Sequence, residues 1–211
     1  MPILTISGID GSGKGTNIDL VAQRLRDQGL NVKILAGRFG YTPILLKVKY
    51  YFSRMYRNNQ SSLKLLKEGN SVFRRRGVLW KITACLDYFL YYGVYVRALN
   101  VFESYIIIDR YIIDMKVDIM IGSERLDLLD RAIISFLNVM LPKPRVSIFL
   151  SIDSSCSEKR SRLKEDEYRE SLERIQKRLS LYDLLLTNEI VVDASSDIAS
   201  VNNKVCSVIL K

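Results

Sequence analysis

The sequence predicts an α/β fold: a five-stranded parallel sheet covered by helices on both faces, three layers in all. Five short runs, Ile3–Ser7, Val32–Ala36, Tyr105–Asp109, Val146–Ile152 and Ile190–Asp193, are rich in β-branched residues and mostly apolar, as strands buried on both faces read. Helical patterns separate them, and strand–helix alternation builds a doubly wound sheet with ligands at the carboxyl ends of its strands. The chain has 211 residues, which suits one large domain and predicts a single unit over 1–211.

The elements follow in order. After the first strand comes Gly8-Ile9-Asp10-Gly11-Ser12-Gly13-Lys14-Gly15-Thr16, then a helix with Ile18, Val21, Ala22 and Leu25 on one face and Gly29 as its stop. The stretch Val78 to Asn100 is the most apolar, yet it contains Lys81, Asp87 and Arg97. It therefore predicts a buried helix and not a membrane span. Leu126, Leu129, Ile133, Leu137 and Met140 form a second stripe, closed by Pro142. Leu172, Ile175, Leu179, Tyr182 and Leu186 form a third. Ile198, Val201, Val205 and Val208 form the last, with Ser196 or Asp197 as its N-cap.

Composition narrows the chemistry. There is no histidine, so imidazole-based catalysis and histidine-ligated metals are excluded. Cys85, Cys156 and Cys206 are odd in number, far apart and form no CxxC; a reducing, cytoplasmic setting is expected. Met1-Pro2-Ile3-Leu4 enters a strand-like run at once, so no targeting segment is expected. The net charge is +9, and its excess lies in one insertion-like region. From Leu45 to Lys81 there are ten basic residues and a single acidic one, Glu68. This is either a solvated helical face or a surface that attracts an anion. A phosphate-bearing substrate or a peripheral membrane contact through residues 45–81 would both fit; nucleic acid is not the expected partner.

The sharpest signal is the loop from Gly8 to Thr16. A glycine-rich turn between a strand and a helix, with a lysine at its end, is a phosphate-binding P-loop. Gly8, Gly11, Ser12, Gly13, Lys14, Gly15 and Thr16 are the expected ATP contacts. Backbone N–H groups and the helix N-terminus would hold the phosphates, and Lys14 would reach the transferred one. The strict motif places Ser or Thr directly after the lysine, where this chain has Gly15. Thr16 is one residue later, a rotation of roughly 100° on a helix. The Gly-Lys-Gly-Thr form resembles the loop of adenylate kinases, which implies a Mg²⁺ ion held largely through water.

The later landmarks are similar to those of the thymidylate kinases. Asp109-Arg110-Tyr111 closes the third strand, Leu141-Pro142-Lys143-Pro144 precedes the fourth, and Val192-Asp193-Ala194-Ser195 precedes the last helix. Lys159-Arg160-Ser161-Arg162 with Glu165 to Glu170 resembles that family's arginine-bearing lid, here about 157–170. The resemblance implies a P-loop kinase that moves the ATP γ-phosphoryl group to dTMP with Mg²⁺, in nucleotide biosynthesis. It also leaves a homodimer open. Arg110 would bridge donor and acceptor phosphates, Asp10 and Arg38 would bind the acceptor, and Asp109 and Thr16 would serve the metal. Arg160 and Arg162, with Arg169 behind them, would supply a transition-state cation from the lid. The bland readings are a structural ion pair for Asp109 and Arg110, a loop cap for Asp10, and a solvated face for the lid arginines.

The base-reading positions depart from that pattern. The family carries an arginine in the helix before the Asp-Arg-Tyr strand; this chain has none from Ile82 to Val96, where Leu86-Asp87-Tyr88-Phe89 stands. Asp114 and Asp118 stand where the family has a serine and an aromatic. Two alternatives therefore stay open: a kinase for another anionic acceptor (a nucleotide, a phospho-sugar or a lipid phosphate), and a nucleotide-binding regulator without catalysis.

Overall fold

The computed structural model describes residues 2–37, 39, 42, 78–99, 105–122, 126–162 and 171–209. Arg38, the basic run from Lys47 to Arg76 and residues 163–170 of the expected lid, Arg169 among them, lie outside them, as does the side chain of Arg162.

The five strands are where the sequence puts them: β1 Ile3–Gly8, β2 Val32–Ala36, β3 Tyr105–Asp109, β4 Val146–Ser151 and β5 Ile190–Asp193. They form one parallel sheet in the order β2-β3-β1-β4-β5. Every residue of the central strand β1 is buried. Along β3 the side chains alternate between the two faces, as a pleated strand requires. Ile106 and Ile108 join one core with Tyr88, Tyr92, Tyr111, Met115 and Leu137. Ile107 joins the other, with Ile18, Val21 and Leu25 of α1 (Lys14–Asp27) and Val201 and Val205 of α8 (Ile198–Ile209). The edge strands correct one expectation: in β5 only Val192 is buried, because an edge strand has a neighbour on one side alone.

Helix ends follow local chemistry. At the end of α1, Gly29 adopts φ 78° and the Leu30 amide donates to the Leu25 carbonyl at 3.2 Å, a Schellman closure. In α5 (Leu128–Met140) the Asp130 amide donates to Asp127 at 2.7 Å, and the Asp127 amide donates back to Asp130 at 3.3 Å. The Ser200 amide donates to Asp197 at 2.9 Å, so Asp197 and not Ser196 caps α8.

The segment after residue 77 differs most from expectation. It starts as α2 (Val78–Tyr88), widens into a π-helical stretch over Phe89–Tyr95, and ends as α3 (Val96–Leu99). Arg97 donates to the Gly93 carbonyl at 2.6 Å inside the widened turn and to the Met140 carbonyl at 2.8 Å. One face is buried through Ala84, Tyr88, Tyr92 and Val96, while Val78, Ile82, Leu86, Leu90 and Val94 line an exposed stripe. The expected buried helix is thus buried on one side only. No described helix is long and apolar enough to cross a membrane. Lys81, the described member of the basic run, pairs with Asp127 at 2.7 Å and Asp130 at 2.8 Å, so its charge is spent within the fold.

Candidate active site

Strand register brings the expected residues to one edge. Ile6 pairs with Asp109, Ala36 with Asp109, and Gly8 with Leu150, so the carboxyl ends of four strands finish near one level. The loop after β1 turns there. At Gly8, φ is 149° and a Cβ would lie 2.7 Å from the Leu150 carbonyl oxygen, so no other residue fits the seat beside β4. The Ser12 amide donates to the Ile9 carbonyl at 3.2 Å, closing the turn. Gly13 caps α1 without a side-chain bond, which leaves the first-turn amides of the helix open to an anion.

Lys14 lies inside this loop. Its ammonium is buried and donates to the Ile9 carbonyl at 2.8 Å, with Asp10 at 3.9 Å as its paired carboxylate. Burial first, and then the Arg110 cation, pull its pKa down to about 7, against the raising influence of Asp10, Asp109 and Asp114. The buried Ser12 hydroxyl has no protein hydrogen-bond partner among the described residues. An under-compensated ammonium, an orphaned hydroxyl and uncapped amides together fit a polyphosphate.

Arg110 closes the site from β3. Its backbone is left-handed, φ 66°, and its amide donates to the Ile6 carbonyl at 3.2 Å, which turns the side chain back across the end of β1. The guanidinium donates to Asp10 and lies 3.7 Å from Asp114. Burial would lower its pKa, but Asp10 and then Asp114 outweigh burial and hold it above the ordinary arginine value. Asp10 is 47% exposed on its side chain, so this ion pair faces the open edge. Tyr111 completes the motif: its hydroxyl donates to the Pro142 carbonyl at 2.8 Å, which joins the Asp-Arg-Tyr and Leu-Pro-Lys-Pro segments in space.

Two further contacts are not readable from the sequence. Ser157, on α6 (Ser154–Arg162), donates to the Asp10 carbonyl at 2.6 Å. Asp114, on α4 (Ile112–Gly122), is buried and receives Ser7, Tyr111 and Tyr182, the last from α7 (Leu172–Leu185). By spacing alone Tyr182 is one more apolar position of a helical stripe.

No family model matches the sequence. Over 46 residues it is 48% identical to the thymidylate kinase of Pseudomonas putida (strain W619), and that match spans 22% of each chain's length. The solved thymidylate kinase of Candida albicans superposes with a TM-score of 0.64 at 18% identity, covering 99% of this chain and 91% of that one. The chain has the thymidylate kinase fold. The Candida protein itself is described as having a broad substrate specificity and a novel structural element.

Within the thymidylate kinase fold the remaining expected residues are placed unevenly. Lys14, Asp10 and Arg110 come together at the edge, and Asp109 is close enough to raise the Lys14 pKa. Thr16 is exposed on the first turn of α1. Among the described residues no three acidic or cysteine side chains gather as a metal cage. A Mg²⁺ ion that keeps its waters and takes phosphate oxygens needs only one or two carboxylates, and Asp109 at the strand end suits that. Arg160 donates to the carbonyls of Ala194 and Ser195 at 3.0 and 3.2 Å, on the loop after β5.

Proposed function

We propose that the protein is an ATP-dependent phosphotransferase of the thymidylate kinase type, which moves the γ-phosphoryl group of ATP to dTMP. The observation that carries this reading is the meeting of Lys14 and Asp10 of the P-loop with Arg110 from the turn after β3, at the carboxyl edge of a thymidylate kinase fold. Phosphoryl transfer asks for positioning and charge neutralisation more than for a covalent partner, and a chain without histidine can supply both.

In this reading the donor triphosphate lies on the loop amides and the N-terminus of α1. Lys14 leaves the Ile9 carbonyl for a phosphate oxygen, and the anion restores the proton affinity that burial removed. Arg110 faces the space between donor and acceptor, while Asp10 keeps its guanidinium turned to the edge. Bound through Asp109 and Thr16, largely by water, Mg²⁺ would supply further neutralisation of the phosphate charge. The Arg38 loop would take the acceptor phosphate. The carboxylates that point to another acceptor in the sequence are engaged internally: Asp114 as above, and Asp118 with Arg178 at 2.9 Å. Neither carboxylate is therefore a sign of a pocket for another acceptor.

The test incubates the protein with ATP, Mg²⁺ and dTMP and follows ADP by a coupled assay and dTDP by ³¹P NMR. Stoichiometric ADP and dTDP support the reading. ADP release that ignores dTMP, or none at all, defeats it.

A further inference from the structure

Arg110 sits between two acidic residues, and each is held by a different helix. Asp10 accepts at its backbone carbonyl from Ser157 of α6. Asp114 accepts at its carboxylate from Tyr182 of α7. We propose that Asp114 is a positioning residue for Arg110, and that the Tyr182 hydroxyl sets it. This rests on the reading that Arg110 acts on the phosphates.

The two oxygens of Asp114 divide the work. Oδ2 accepts from Ser7 Oγ at 2.6 Å and from the Tyr111 amide at 3.1 Å, which fixes the carboxylate to β1 and to the turn that carries Arg110. Oδ1 accepts from the Tyr182 hydroxyl at 2.7 Å and faces Arg110 Nη1 at 3.7 Å. With Ser7, Tyr111 and Tyr182 in place the carboxylate cannot rotate, and its negative end stays toward the guanidinium. Asp10 alone would not hold Arg110 as firmly, because its side chain is half in solvent. Asp114 is 2% exposed, so its field is screened little by water. A serine at this position could still donate and accept hydrogen bonds, but it would bring no charge to Arg110.

The experiment compares wild type, Asp114→Asn, Tyr182→Phe, Arg110→Ala and the double variant Asp114→Asn/Arg110→Ala. Each is assayed for kcat and for the KM of ATP and of dTMP, well below its thermal midpoint. Asp114→Asn should lower kcat by about 10- to 100-fold, the range for losing a charged partner in a buried site, with the KM of ATP within about twofold. Tyr182→Phe should lower kcat by roughly three- to tenfold. In the Arg110→Ala background Asp114→Asn should have almost no further effect, because its route of action is gone. Should Asp114→Asn fail to fold, Tyr182→Phe alone and in the Arg110→Ala background gives the same comparison. An equal loss in both backgrounds, or a lowered midpoint with unchanged kcat, overturns the proposal and leaves Asp114 a packing residue. Wild type inactive on dTMP defeats the functional reading itself, and this proposal with it, before any variant is compared.

Discussion

The phosphate loop and the turn after β3 each bury one cation at the same edge of the sheet, and they treat it oppositely. Lys14 keeps one half-exposed carboxylate at 3.9 Å and a carbonyl, and burial draws its pKa down to about 7. Arg110 has two carboxylates and stays above the ordinary arginine value in spite of burial. The loop lysine is therefore short of negative charge until an anion arrives, whereas the arginine is already held. One site is built to be completed by its ligand, the other to be ready before it.

The largest effect that breaks this contrast is expected from Lys14→Ala. It removes the cation nearest the transferred group and should lower turnover by at least about 10³. Circular dichroism and the thermal midpoint should show the fold intact. Near-normal turnover would remove Lys14 from the chemistry.

Arg110→Ala should follow, with kcat down by about 10²–10³ and ATP affinity, measured by titration, little changed. Loss of ATP affinity alone would place Arg110 on the donor side. Arg160 and Arg162, the two arginines expected of a lid, sharpen the point. Both terminal nitrogens of Arg160 already serve the carbonyls after β5, so Arg160→Ala should change kcat by less than about threefold, while Arg162→Ala lowers it by roughly 10²–10³. Two neutral results in the same rate assay would leave the lid without an electrostatic role.

The smallest effect is a proton. Folded, Lys14 titrates at about 7; its ordinary value is 10.5. Between these values the unfolded chain holds a proton that the folded one has shed. This group thus makes stability rise from pH 7 toward 10.5, and imposes its full burial penalty below 7. Nucleotide binding should draw the proton back. Calorimetry at pH 8 in buffers of different ionisation enthalpy should show uptake approaching one proton, absent in Lys14→Ala. Equal uptake by both proteins would place the proton elsewhere.

Much of this was legible in the sequence, for identifiable reasons. The strands are mostly apolar and β-branched and the P-loop is contiguous, so β1 to β5 and Lys14 could be read from neighbours. Asp109-Arg110-Tyr111 was legible as a local motif. The role of Asp114 was not, because its partners Ser7 and Tyr182 lie 107 and 68 positions away. Asp114 stood out in the sequence only as a departure, and nothing local distinguished a base-pocket acid from an internal one. The π-helical turn escaped for a similar reason: Arg97 reaches both Gly93 and Met140, and only the first is a neighbour. β5 read as covered because composition does not reveal which strand ends at an edge.

The register of β1 also has a consequence for how the chain is made. Gly8 is seated against Leu150, and Leu4 pairs with Val146. The glycine loop leaves the ribosome well before β4, yet its seat does not exist until that fourth strand has been synthesised. At about 5–20 residues per second that delay is on the order of ten seconds. A six-residue strand destined for full burial has both edges unpaired until β3 is made, and one edge unpaired until β4 follows. Of the paired edges in the sheet, the one β1 offers to β4 therefore waits longest for its partner, and the seat that a bound nucleotide would need is complete only once β4 has left the ribosome.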